Sequence, residues 1–139
     1  MNTRLNPYLS FRDNARQAMD FYQSVFGGEV TRSTFAEYQI SEDPAERDKI
    51  MHSQLETDGG LVLMAADTPS GMEYTPGGNG SLSLSGTDEA ELRGYYDRLA
   101  DGGTVTVPLE ASPWGDLFGM CTDRFGVKWL VNIAVAPHS

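Results

Sequence analysis

Asn14-Ala15-Arg16-Gln17-Ala18-Met19-Asp20-Phe21-Tyr22-Gln23-Ser24-Val25-Phe26-Gly27-Gly28-Glu29-Val30-Thr31 decides the fold, because the chain repeats its pattern later. Ala15, Ala18, Met19, Tyr22, Val25 and Phe26 fall at i, i+3, i+4 and i+7, which predicts an amphipathic helix with one apolar stripe. Asn14 offers an N-cap, and Gln17 three residues on completes a capping-box arrangement. Gly27-Gly28 ends the helix, since glycine accepts the left-handed conformation there, and a β-branched strand follows. Asp88–Val107 repeats the pattern: Asp88 and Glu91 as the box, then Leu92, Tyr95, Tyr96 and Leu99 as the buried stripe. Gly102-Gly103 and Thr104-Val105-Thr106-Val107 complete the copy.

Working outward, Leu5–Phe11 reads as a strand with Leu9 and Phe11 on one face and Tyr8 and Ser10 on the other. Glu29–Ile40 is expected to be extended, and Ser41–Asp48, charged and containing Pro44, to be an exposed connection. Lys49–Glu56 and Leu61–Ala66 form a hairpin around Asp58-Gly59-Gly60. Met51 and Leu55 share one face of its first strand; His52, Gln54 and Glu56 share the other.

In the second copy Ser81-Leu82-Ser83-Leu84-Ser85 alternates cleanly, with leucines assigned to the core. Thr104–Leu109, Leu117–Thr122 and Val127–Val135 supply the remaining strands, the last two joined at Asp123-Arg124-Phe125-Gly126. The prediction is an α+β fold of two tandem βαβββ modules in one domain spanning 1–139. Module one covers about 4–67, a linker 68–80, and module two about 81–135. The Pro- and Gly-rich stretch Asp67–Gly80 is either a linker or a mobile cover over a site.

Composition narrows the function. A chain of 139 residues with 40 % hydrophobic content can bury one core. It has no apolar run long enough for a membrane helix, and its first residues lack the apolar segment of a secretory signal. The single cysteine, Cys121, has no internal disulfide partner, so a cytoplasmic location is expected. Twenty acidic residues against ten basic ones give a net charge of −10, which disfavours nucleic acid and anionic membrane as partners. That charge either serves solubility or favours a cationic ligand. Neither a phosphate loop nor a dinucleotide or nucleophile-elbow pattern is present, so no cofactor is expected.

Each sheet, covered by a helix on one face, must place its other face somewhere. Curled round one another, or round a partner chain's modules, the open faces would form a cleft lined by Tyr8, Ser10, His52, Gln54, Ser81, Ser83, Lys128, Leu130 and Asn132. A β-bulge would invert that assignment locally.

The order Asn6-Pro7-Tyr8-Leu9-Ser10-Phe11, Ala18-Met19-Asp20-Phe21-Tyr22, Val25-Phe26-Gly27-Gly28, Met51-His52-Ser53-Gln54-Leu55, Trp114-Gly115-Asp116 and Asp123-Arg124-Phe125-Gly126-Val127-Lys128-Trp129 resembles the vicinal oxygen chelate superfamily. This is the glyoxalase/bleomycin-resistance/extradiol-dioxygenase group, and the chain is most similar to its PhnB-like subgroup, from about Leu5 to Ala134. The resemblance implies paired βαβββ modules, a cupped sheet and a homodimer. In metal-using members it also implies His, Gln or Glu ligands from strands one, four, five and eight. Carried onto this chain, those positions fall on Tyr8 (or Pro7), Met64 or a neighbour, Ser81 and Leu130. Hydroxyl, thioether and alkyl groups are poor donors for a hard or borderline divalent ion, so no metal is expected.

The candidate ligand-binding residues are therefore His52, Gln54, Trp114, Asp116, Tyr8, Ser81, Ser83 and Asn132. His52 is a general base, a ligand contact or a structural histidine. Trp114, on a loop, is a pocket wall or the plug of a dimer seam, and Asp116 pairs with a cation or caps its turn. Cys121 reads as an inert buried thiol, and His138 as irrelevant at the C-terminus. The leading expectation is a metal-free, homodimeric small-molecule-binding protein. The alternatives are a lyase, isomerase or dioxygenase using His52 or an unconventional metal set, and an interaction module whose cup is filled by Trp114, Met64 and Tyr8.

Overall fold

A computed structural model describes residues 3, 5–38, 46–69 and 80–135. Its elements run β1 (Tyr8–Phe11), α1 (Ala15–Phe26), β2 (Glu29–Thr34), α2 (Phe35–Tyr38), β3 (Ile50–Glu56) and β4 (Val62–Asp67). The second half follows with β5 (Leu82–Gly86), α3 (Glu89–Ala100), β6 (Thr104–Ala111), β7 (Leu117–Thr122) and β8 (Lys128–Ile133). The chain divides into two compact units, Met1–Pro76 and Gly77–Ser139. Each builds one four-stranded mixed sheet, in the order β1-β4-β3-β2 and β5-β8-β7-β6. The first strand of each unit pairs parallel with the last, and the other pairings are antiparallel. The duplicated pattern is therefore a duplicated βαβββ topology.

In the first unit α1 buries Ala15, Ala18, Met19, Tyr22 and Val25 against a sheet face that includes Phe11, Leu55, Leu63 and Ala65. In the second, α3 buries Leu92, Tyr96 and Leu99 against Cys121, Trp129, Val131 and Ile133. Burial of these side chains is the main stabilising term, at roughly 1.5–3 kcal/mol for each large one. The paired glycines do the same work in both copies. Gly27 and Gly102 adopt φ of 76° and 80°. A Cβ on Gly28 would lie 2.2 Å from the Glu56 carbonyl oxygen, and one on Gly103 would lie 2.1 Å from that of Thr122. Only a residue without a side chain lets each helix end press so close to its sheet.

One turn design recurs in three hairpins. Thr57, Ser112 and Asp123 each donate their N–H to the carbonyl four residues on, at 3.0, 2.8 and 2.9 Å. Each also accepts from a glycine three residues on (Gly60, Gly115, Gly126) whose φ is +94°, +100° or +86°. Such three-residue loops with glycine in the left-handed region match the twist of the flanking strands. Trp114 occupies the residue just before that glycine in the β6–β7 turn.

Several local expectations need correction. Glu29–Ile40 is not extended throughout: β2 stops at Thr34 and a single helical turn, α2, follows. Residues 39–40 and 41–45 lie outside the described residues, but Glu46, assigned to an exposed connection, is only 3 % exposed and pairs with Lys49 at 2.5 Å. Asn14 makes no side-chain cap bond. The α1 N-terminus is instead met by Asp67 from the end of β4. Met51 is the extra residue of an irregularity, because Ser33 faces His52 while Thr34 faces Ile50. Ile50, Ser53 and Leu55 are therefore the buried residues of β3, while Met51 is partly exposed. Tyr95 is also only partly buried, leaving Tyr96 as the core tyrosine.

The expected linker falls mostly on residues 70–79, outside those described, as does His138. No helix among the described residues is long and apolar enough to cross a membrane.

Candidate functional site

Strand register brings the predicted residues into rows. On the open face of the first sheet, Thr31, Gln54, Met64 and Tyr8 stand side by side across β2, β3, β4 and β1. His52, one alternation along β3 and opposite Ser33, lies beside this row, its ring 5.9 Å from that of Tyr8. Tyr8 is 52 % exposed. This face therefore offers one imidazole, one phenol, an amide and a thioether, and Gln54 spends its Nε2 on the Glu56 carboxylate.

On the open face of the second sheet, Ser83, Leu130, Met120 and Val107 form one row across β5, β8, β7 and β6. The next row is Ser85, Asn132, Phe118 and Glu110. Over it hangs the β6–β7 turn. Trp114 meets Phe118 edge-on with ring centroids 5.2 Å apart, and its Nε1 donates to Asn132 Oδ1 at 3.2 Å. Asn132 Nδ2 donates in turn to Asp116 Oδ2 at 3.0 Å. Ser112 Oγ donates to the Asp116 carbonyl at 2.7 Å and holds the turn shut. Trp114 remains 57 % exposed, so its ring is fixed in position yet open to a ligand.

The structure thus joins Trp114, Asp116 and Asn132 into one hydrogen-bonded corner, with Ser83 one row away. It groups Tyr8, His52 and Gln54 on the other sheet. Ser81 is exposed and precedes β5, outside either row. Sequence reasoning missed Phe118 and Glu110: Glu110 lies beyond the expected strand Thr104–Leu109, and only the irregular β6–β7 register, shifted between Val107 and Glu110, brings it opposite Phe118.

A separate hollow of about 280 Å³ opens at the start of α1, lined by Asp13, Arg16, Gln17, Asp48, Lys49 and Asp67. Its charges largely serve one another. Lys49 Nζ lies 2.6 Å from Asp13 and 2.5 Å from Glu46, and the bond to Asp13, then that to Glu46, holds the ammonium pKa above its usual value. Asp67 gives one oxygen to the Ala15 N–H and the other to that of Ile50. These contacts act as a clamp between α1, β3 and β4.

The family model described as "Glyoxalase/Bleomycin resistance protein/Dioxygenase superfamily" matches residues 4–131, and the chain belongs to that superfamily. It is 31 % identical over 140 residues to Protein YjdN of Escherichia coli (strain K12), covering 93 % of this chain and 94 % of that protein. Among solved structures it is similar to protein PA1353 from Pseudomonas aeruginosa, with a TM-score of 0.81 and 36 % identity over 97 % of this chain and all (100 %) of that one. A PhnB protein from Bacillus cereus matches with a TM-score of 0.70 and 25 % identity, over 95 % and 100 % of the two chains.

The superfamily's metal-using members raise the question of a resident ion. Tyr8 and Met64 are direct register partners, while Leu130 faces Ser83 and Ser81 stands apart. Phenol, thioether, hydroxyl and alkyl groups do not make a donor set for a hard or borderline divalent cation. Among the described residues no group of three or more His, Cys, Asp or Glu could hold a metal ion. The residues present do not fit the family's ion.

Proposed function

We propose that this protein is a metal-free, cytoplasmic homodimer that binds a small organic molecule on the open faces of its sheets. The observation that carries this reading is the corner of Trp114, Asp116 and Asn132. A large aromatic is fixed by its hydrogen bond to Asn132, which Asp116 holds in turn, and still leaves most of its surface to solvent. Folding gains little from an exposed indole, whereas a pre-positioned one lowers the ordering cost of binding. The retained superfamily scaffold supports the same reading, as does the mismatch between its metal positions and the groups at Tyr8, Met64, Ser81 and Leu130.

A thermal-shift screen of the purified protein against a metabolite panel, with and without chelator, tests this. A compound that raises the melting temperature equally in both conditions supports it. Stoichiometric zinc, nickel, manganese or iron in protein purified without chelator overturns the metal-free reading, and a monomer in sedimentation equilibrium overturns the dimer.

A second reading rests on His52, whose ring stands beside Tyr8 on the open face of the first sheet. In that reading His52 is a general base within a lyase or isomerase reaction. Turnover of a bound compound that is lost in His52→Ala, with binding retained, would favour it over binding alone.

A further inference from the structure

We infer that the Asn132–Asp116 corner recognises a planar heterocycle presenting a ring carbonyl beside N–H donors, the edge carried by a 2-aminopyrimidin-4-one. The inference rests on the small-molecule reading above and names the ligand chemistry for that site.

Hydrogen-bond arithmetic leads to this edge. An indole N–H can only donate and an ionised carboxylate can only accept. Asn132 lies between the two, so its amide orientation is fixed by chemistry: Oδ1 toward Trp114 and Nδ2 toward Asp116. A primary amide carries two N–H donors, and Asp116 uses one of them. Among the described residues, the second N–H of Asn132 and the Oδ1 of Asp116 have no protein partner. Both residues are only partly buried. The corner therefore presents one donor next to one charged acceptor, with the open indole of Trp114 alongside.

A simple cation would satisfy Asp116 but would meet the Asn132 N–H with the wrong polarity. An anion would satisfy Asn132 and be repelled by Asp116. A flat group with adjacent N–H and C=O satisfies both while laying its ring against Trp114, where aromatic surfaces gain by stacking. Ser85, beside Asn132 in the same row, adds a hydroxyl that can donate or accept.

The protein contains two tryptophans, so a ¹⁵N–¹H correlation spectrum shows two indole signals, assigned with Trp114→Phe. Trp129 is buried with its Nε1 bonded to Asp123 and serves as the folding control. The probes are 2-aminopyrimidin-4-one, 3-methylpyrimidin-4-one, which keeps the ring carbonyl but has no N–H beside it, and benzamidinium, which has donors but no carbonyl. The expected result is a saturable shift of the Trp114 signal by 2-aminopyrimidin-4-one, with the Trp129 signal unmoved. Asp116→Asn and Asn132→Asp should each weaken binding by about tenfold or more. Equal binding of either control probe overturns the inference, as does unchanged affinity in Asp116→Asn or the absence of a saturable shift. A compound that raises the melting temperature, lacks this edge and leaves the Trp114 signal in place would overturn this inference while sparing the small-molecule reading.

Discussion

The carboxylate of Asp67, the last residue of β4, accepts the backbone N–H of Ala15, the first residue of α1, at 2.9 Å. Its second oxygen accepts the Ile50 N–H, also at 2.9 Å. One buried side chain thus caps a helix and anchors the start of β3, with its charge favoured by the helix dipole. Asp67→Asn keeps the shape but turns an NH2 group toward one of those two N–H donors. The expected loss is about 3 kcal/mol, since a charge-assisted bond goes and a buried donor is left unpaired. Urea unfolding checks it; a change in midpoint within error would show that the clamp contributes nothing.

Gly28→Ala and Gly103→Ala probe the same close approach in the two copies. Each added methyl would have to displace a carbonyl oxygen little more than 2 Å away, which means moving a strand backbone rather than a side chain. Each also constrains a tight segment, and Gly28 itself has φ of +89°. A destabilisation of roughly 1–3 kcal/mol or more is expected for each. Gly27→Ala meets no neighbouring atom, so it should cost only the strain of its positive φ. Equal losses at Gly27 and Gly28 would contradict the contact argument.

The sequence made the architecture legible because the signals were repeated: two apolar stripes, two glycine pairs and a strict Ser/Leu alternation at β5. It failed where a distant residue overrode a local pattern. Asn14 looks like a cap, but Asp67, fifty-two positions after the Ala15 it bonds, does the capping. Met51 looks core-facing until the irregularity opposite Ser33 and Thr34 shifts the register. For the site, Trp114, Asp116 and Asn132 could be named from loop position and strand parity. Their mutual bonds depended on how the β6–β7 turn folds back over β8, which no periodicity encodes. The third copy of the Thr57-type turn, at Ser112–Asp116, was the readable clue: a hydroxyl residue followed three positions later by glycine.

Tyr95 sets an alkaline limit on α3. Its hydroxyl donates to Glu91 Oε1 at 2.6 Å, and that bond, with burial second, pushes the phenol pKa up to about 12. The folded protein therefore holds this proton more tightly than the unfolded chain. The resulting stability is complete below pH 10 and is lost as pH rises towards 12. Tyr95→Phe removes this contribution. The stability gap between wild type and variant should be constant up to about pH 10 and should shrink across the window to 12. A gap that does not narrow there would remove the Glu91 bond as its cause.

Cys121 tests the burial of the second core by a chemical route. It lies on β7 under α3, and burial first, then the nearby Asp123 charge, pushes its thiol up to about 11. Against an ordinary value of 9.0, that lowers the reactive thiolate at pH 8 by roughly a hundredfold, before any steric exclusion. Labelling by a water-soluble disulfide reagent at pH 8 should therefore be slow in the native protein. It should also accelerate with sub-denaturing urea, since the chain must open to expose the sulfur. Rapid stoichiometric labelling in buffer alone would mean that α3 does not stay packed on its sheet. Because β7 also carries Phe118 beneath Trp114, a loose second core would leave the Trp114 corner without a rigid base.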